Sequence, residues 1–254
     1  MIIDTHAHYD DERFDTDRDE LLLKLQEMHM IAVNACTDRR NCEVNLQMVE
    51  KYACLYGMIG IYPEYVDQHT DADLNRMKEM ASHPKIVSIG EIGLDYHWEE
   101  NPPKEVQIEW FRKQIRLAKE VHLPINVHSR DAAEDTLDVI RSENAKECGG
   151  IIHCFSYSPE IAREYVKLGF YLGIGGVVTF SNAKKLKEVV KAVPVENIVT
   201  ETDCPYLAPV PHRGERNSSL YLPAVLEAIA GLKGLSTEEV ERITEENARK
   251  VYGI

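Results

Sequence analysis

His6-Ala7-His8 lies two residues behind the apolar start Ile2-Ile3 of a 254-residue chain. In an extended strand the side chains alternate between faces, so residues two apart share one face. His6 and His8 would therefore aim two imidazoles at one point, as a strand does when it supplies two ligands to a transition metal. Alone the pair is a weak signal, since two surface histidines bind nothing. It gains force only if further ligands stand at the ends of other strands.

Such ligands are present. Lys85-Ile-Val-Ser-Ile-Gly-Glu91 ends in Glu91, in phase with Val87 and Ile89. Pro124-Ile-Asn-Val-His128 ends in His128, Gly150-Ile-Ile-His153 in His153, and Val199-Thr-Glu-Thr-Asp203 in Asp203, in phase with Glu201. A hydrogen-bonded core histidine would account for His128 or His153 singly, and a helix N-cap for Asp203. A metal site accounts for all six residues together. Six ligands exceed the three that hold one catalytic zinc, and they suit two ions ~3.5–4 Å apart. On this reading Glu91 bridges the ions, one on each carboxylate oxygen. His6, His8 and Asp203 hold one ion; His128 and His153 hold the other. Water shared between the ions loses a proton near neutral pH and becomes the nucleophile, and Asp203 takes or passes that proton. Glu91 and Asp203 are thus the expected catalytic carboxylates. The mixed donors suit Zn, Mn, Fe or Co better than Mg, which prefers oxygen alone.

Eight short apolar runs must position these groups: Ile2–His8, Ile31–Cys36, Met58–Ile61, Ile86–Glu91, Ile125–His128, Ile151–Phe155, Tyr171–Gly175 and Ile198–Thr202. Helical patterns separate them. In Glu105–Val121 the apolar residues Ile108, Phe111, Ile115 and Ala118 step by three and four. Leu21, Leu22 and Leu25 do so in the first helix, and Leu222, Val225, Leu226 and Ile229 near the end. Ser236 with Glu239 three residues on predicts a capping box opening the last helix. Strands alternating with helices imply parallel β/α units. The glycine fingerprint of a dinucleotide fold does not follow the first strand. Residues 1–254 are therefore expected to form a single-domain α/β fold, the TIM (β/α)8 barrel, whose site lies at the C-terminal ends of its strands.

The bulk composition is that expected of a soluble globular protein. The hydrophobic content is 44%, and no run reaches the ~18 apolar residues of a membrane span. Without a basic n-region the chain is expected to be cytoplasmic, with no membrane partner. Its six cysteines, lacking any Cys-x-x-Cys pair, are expected to be buried thiols, not disulfides. A formal charge of −14, from 29 basic and 43 acidic residues, argues against long-tract nucleic-acid binding but not against a local phosphate site. Asp95 is expected to orient a ligand histidine, and Cys204 to be a small buried residue. The acidic run Asp10–Glu20 reads as a solvated loop and helix start. His29, His69, His83, His97 and His122 stand away from strand ends and receive no role.

The residues resemble the TatD-type metal-dependent hydrolases, often called TatD DNases, within the amidohydrolase-like barrels. The resemblance spans the chain: Asp4-Thr-His-Ala-His8, Gly90-Glu-Ile-Gly-Leu-Asp95-Tyr96, Leu123-Pro-Ile-Asn-Val-His128-Ser-Arg130, Ile152-His153-Cys-Phe-Ser156, Glu201-Thr-Asp203-Cys-Pro-Tyr206 and Pro211-His-Arg-Gly-Glu-Arg-Asn217. It implies a (β/α)8 hydrolase using divalent ions to cleave DNA phosphodiesters, with His6, His8, Glu91, His128, His153 and Asp203 at the family's ligand positions. Arg130 and Arg213 fall where a planar guanidinium would contact phosphate, the alternative being surface ion pairing. The sequence departs from the family at Gly60-Ile-Tyr62-Pro63, where members usually carry histidine before the proline. Tyr62 would face the substrate there, able to donate a hydrogen bond but not to carry charge at pH 7. The ending Arg213-Gly-Glu-Arg-Asn217-Ser-Ser is altered too.

The leading expectation is a deoxyribonuclease acting on single-stranded or frayed DNA, with 3′-5′ exonuclease action as one form, or on another phosphate ester. The alternative keeps the metals and changes the bond: an ester or amide hydrolase, such as a deacylase of aminoacyl-tRNA or small molecules. A non-catalytic binding protein is disfavoured because no ligand is missing. The chain is expected to be a monomer or small homo-oligomer.

Overall fold

A computed structural model describes all residues, 1–254. Eight parallel strands alternate with helices along the chain. They are β1 (Ile3–Ala7), α1 (Arg18–Glu27), β2 (Ile31–Asn34), α2 (Arg39–Lys51), β3 (Leu55–Ile59), α3 (Asp71–Met80), β4 (Ile86–Asp95) and α4 (Lys104–Val121). The second half contains β5 (Ile125–Arg130), α5 (Ala133–Ser142), β6 (Gly150–Ile152), α6 (Pro159–Lys167), β7 (Phe170–Ile174), α7 (Lys184–Ala192), β8 (Ile198–Thr200), α8 (Leu222–Lys233) and α9 (Thr237–Tyr252). Strand order follows chain order from β1 to β8. Ala7 bridges Cys204 in parallel, which closes the sheet. The architecture is the expected single-domain TIM barrel.

Each of the eight apolar runs overlaps a strand, with displaced ends. β4 continues to Asp95, four residues past Glu91. β6 and β8 stop short, at Ile152 and Thr200. His153 and Asp203 therefore stand on the turns just beyond their strands. Gly93 permits the extension of β4, because its φ of +137° and a Cβ 1.9 Å from the His128 carbonyl oxygen would exclude any other residue.

Two apolar clusters hold the fold. One of 56 residues lies largely between strands and helices. The other draws Ile3, Val33, Met58, Val87, Ile151, Tyr171 and Val199 from seven different strands, which can meet only inside the barrel. Ala248 and Tyr252 of α9 join it. Asn247 donates to the carbonyls of Val195 and Ile198 at the start of β8, so α9 covers the end away from the histidines. The Ser236 hydroxyl accepts from the Glu239 amide and caps α9, which is the serine half of the predicted capping box; the reciprocal bond to the Glu239 carboxylate does not form.

On α4 the buried face carries the predicted Phe111, Ile115 and Ala118, together with Gln107 and Gln114. Gln114 pairs with both backbone groups of Ile61, and Gln107 with both of Asp95. One helix face thus fixes the main chain beside Tyr62 and beneath Asp95. The cysteine expectation requires a correction. Cys36 and Cys42 are joined as a disulfide, their Cα atoms 5.3 Å apart because α2 folds back over the end of β2. Cys54, Cys148, Cys154 and Cys204 are free thiols, and Cys204 is fully buried as expected.

Candidate metal centre

All six predicted ligands converge at the C-terminal mouth of the barrel. Glu91 stands at its middle with its two oxygens turned to different partners. Oε2 lies 3.4 Å from His6 Nε2 and 3.8 Å from His8 Nε2. Oε1 lies 3.0 Å from His128 Nδ1 and 3.3 Å from His153 Nε2. Asp203 Oδ1 approaches the first pair only, 3.4 Å from His8 Nε2 and 3.8 Å from His6 Nε2. His6, His8 and Asp203 form one cluster with metal-ligand spacing, and His6, Glu91 and His153 form another.

The tautomer of His6 is fixed from the far end of the chain. The Tyr252 hydroxyl donates to the Thr5 carbonyl at 2.8 Å and so receives the Asn126 amide N–H at 3.2 Å. That turns Asn126 Oδ1 toward His6 Nδ1, 2.9 Å away, and makes Nδ1 the protonated nitrogen. Nε2 then presents a bare lone pair to the centre, 3.0 Å from His8 Nε2. Two imidazole nitrogens held this close, with two carboxylates beside them, are a donor set that fits a cation.

His128 is oriented in the same way, whereas His153 has a carboxylate beside it without a hydrogen bond. Asp95 Oδ2 lies 3.1 Å from His128 Nε2, as expected of a residue that orients a ligand. Glu201 Oε1 lies 3.4 Å from His153 Nδ1, outside hydrogen-bond geometry. Asp95→Ala should lower metal affinity or activity by roughly 10–100-fold, while Tyr62→Phe, which leaves Asp95 in place, should cost less. Metal titration of both variants checks this; equal losses would contradict the ranking.

Charge is concentrated here. Burial opposes ionisation of Glu91, but the charges of His153 and His6 and hydrogen bonds from His128 and His153 outweigh it and hold the carboxyl well below its ordinary value. Burial alone would depress His153, but Glu201 and Glu91 raise it well above the ordinary histidine value. Burial and the neighbouring His153 charge lower His6. Burial would lower His128 as well, but Asp95 and Glu91 raise it, so a cation bound here would compete with protons that the carboxylates favour.

Asp203 sits at φ +55° with its amide donating to the His6 carbonyl at 2.9 Å. Its side chain is 20% exposed against 4% for Glu91, so it is the carboxylate open to solvent. Buried Asp4 ties the two ends of the barrel seam by accepting from the Thr202 and Ser219 hydroxyls, both at 2.6 Å. Asn217 donates to the carbonyls of Thr202 and Tyr206, bracing the loop that carries Asp203.

The predicted substrate residues lie around the mouth. Arg130 is exposed, with its guanidinium 5.4 Å from the Trp98 ring. Arg213 lies 4.4 Å over Phe180. These are aromatic contacts in place of the surface ion pairs considered as an alternative. The Tyr62 hydroxyl donates to Asp95 Oδ2 at 3.1 Å and lies 3.0 Å from His128 Nε2, so it already has partners. Asn126, Glu201, Tyr252 and exposed Trp98 join the site without having been singled out from the sequence. Of these, only Glu201 carried a sequence signal, its phase with Asp203.

The TatD related DNase family matches residues 3–253. The uncharacterized metal-dependent hydrolase YabD of Bacillus subtilis is 47% identical over 256 residues, covering all of both chains. The 3′-5′ ssDNA/RNA exonuclease TatD of Klebsiella pneumoniae is 28% identical over 260 residues, covering all of this chain and 98% of its own. Among solved structures, the TatD homologue YJJV of Escherichia coli superposes with a TM-score of 0.92 at 26% identity, covering all of this chain and 98% of that one. With that match across the chain and this centre at its barrel mouth, the protein belongs to the TatD family of metal-dependent hydrolases.

Proposed function

We propose that the chain is a two-metal phosphodiesterase that cleaves single-stranded or frayed DNA, acting in the cytoplasm. The observation that carries this reading is the division of Glu91, whose two oxygens face different histidine pairs. The family's description and the Klebsiella relative's name support a nucleic-acid substrate. No helix is long and apolar enough to cross a membrane.

Two bound divalent ions would lower the pKa of a water and polarise a phosphoryl oxygen. His6, His8 and Asp203 would hold one, His128 and His153 the other, with Glu91 between. Asp203, open to solvent, receives the proton of the attacking water and passes it outward. Arg130 and Arg213 are the residues proposed to hold the non-bridging phosphate oxygens. Asn126 and Asp95 keep the ring protons of His6 and His128 on the outer nitrogens. The engagement of Tyr62 favours a second reading, ester or amide hydrolysis, because its hydroxyl is bound to Asp95 where members of the family usually offer a histidine.

Purified protein with Mn²⁺ or Mg²⁺ should shorten labelled oligonucleotides and stop on addition of EDTA. Faster turnover of an ester panel than of DNA would select the second reading. Metal should also stabilise the fold. At a hundredfold excess over Kd, binding adds about 2.7 kcal/mol. For a chain of this size that raises Tm by roughly 5–11 °C. Thermal melts with and without EDTA check this, and an unchanged Tm would contradict it.

A further inference from the structure

A cavity of about 200 Å³ opens beside Asp203 between the ends of β6, β7 and β8. β7 borders the space. Gly173 in β7 and Gly175 just past its end bring no side chain to the mouth, and the room at Gly173 is taken by the Glu201 carboxylate. A Cβ on Gly173 would lie 2.1 Å from Glu201 Oε2, and one on Gly175 would lie 3.3 Å from the Glu201 carbonyl oxygen. The walls are apolar: Phe155, Val177, Leu186 and Leu207 surround the gap, and Ala183 at the head of α7 completes it. The rim is polar, with exposed Ser156, Asn182 and Lys185. Asp203 and buried Glu201 form the inner end, and Glu201 Oε2 has no hydrogen-bond partner.

This arrangement selects one kind of occupant. Because Asp203 lines the cavity, the group inside it is joined to the reacting centre by a few bonds. Apolar walls exclude a charged group. A rim carrying an amide, a hydroxyl and an ammonium suits a ring with apolar faces and polar edges, which an alkyl chain lacks. The Lys185 ammonium also complements the phosphates on either side of such a ring. We propose that this cavity seats the nucleobase attached to the phosphate being cut, making Phe155, Val177, Ala183 and Asn182 residues that determine substrate choice. The proposal rests on the phosphodiesterase reading above.

The test uses the Mn²⁺-loaded protein and thymidylyl-thymidine, with two analogues in which 1′,2′-dideoxyribose replaces one or the other nucleoside. The wild type should cleave one analogue at least tenfold less efficiently than the parent, by kcat/KM. Ala183→Phe, which fills the cavity away from the metal ligands, should cleave the parent only as well as that analogue, with Mn²⁺ content and Tm unchanged. If the fill disturbs folding, Asn182→Ala on the exposed rim should raise KM for the parent and not for the analogue. Equal cleavage of all three substrates by the wild type would overturn the nucleobase seat while leaving the phosphodiesterase reading intact. No cleavage of any of them by metal-loaded protein would overturn both. If Ala183→Phe slows hydrolysis of 2-naphthyl hexanoate but not of the dinucleotide, the occupant is an acyl chain and the proposal fails.

Discussion

Glu91→Gln should remove hydrolysis and both ions together. The substitution keeps the size of a side chain that is only 4% exposed, so the packing around it survives. It takes away the charge that the surrounding histidines stabilise and one of the two oxygens that face them. An ion on either side then loses its shared anionic ligand. Metal-ion catalysis supplies several kcal/mol of transition-state stabilisation, so kcat/KM should fall by at least about a thousandfold. Metal analysis of the purified variant should find neither site filled. Retention of one full equivalent, or of activity within tenfold of the wild type, would contradict a bridging role.

Asp203→Asn should act on one side only. Asp203 approaches His6 and His8 but stands apart from His128 and His153. The variant should lose the ion held by His6 and His8 and keep the one between Glu91, His128 and His153. It also loses the proposed proton acceptor, a role worth about 10²–10⁴ in rate. Steady-state kinetics should place most of the loss in kcat and little in KM. A variant that loses both equivalents, or one impaired in KM alone, would assign Asp203 to structure or substrate binding instead. The contrast with Glu91→Gln separates a bridging ligand from a terminal one.

The barrel was legible because its strands are apolar on both faces and its helices carry clear stripes, patterns that local sequence preserves. The meeting of the six candidate ligands was legible because strand ends in a barrel converge on one mouth. Strand limits were less so. β4 runs on to Asp95 because Gly93 lets its backbone lie against His128, and nothing in a local pattern reveals that contact. Gln107 and Gln114 were not singled out, because an amide side chain gives no local sign that it is a buried clamp on the backbone of another element. Asn126 and Tyr252 set the tautomer of His6 across 126 residues of sequence separation, a link that only the closed barrel creates. The Cys36–Cys42 pairing depends on the turn from β2 into α2, which the cysteine spacing alone does not disclose.

Glu91 is proposed to hold one ion on each oxygen, and anomalous diffraction from crystals grown with Mn²⁺ would show whether it does. Two peaks ~3.5–4 Å apart are expected. One should lie against Glu91 Oε2 with His6, His8 and Asp203, the other against Oε1 with His128 and His153. A single peak, or peaks that leave either Glu91 oxygen without an ion, would contradict it.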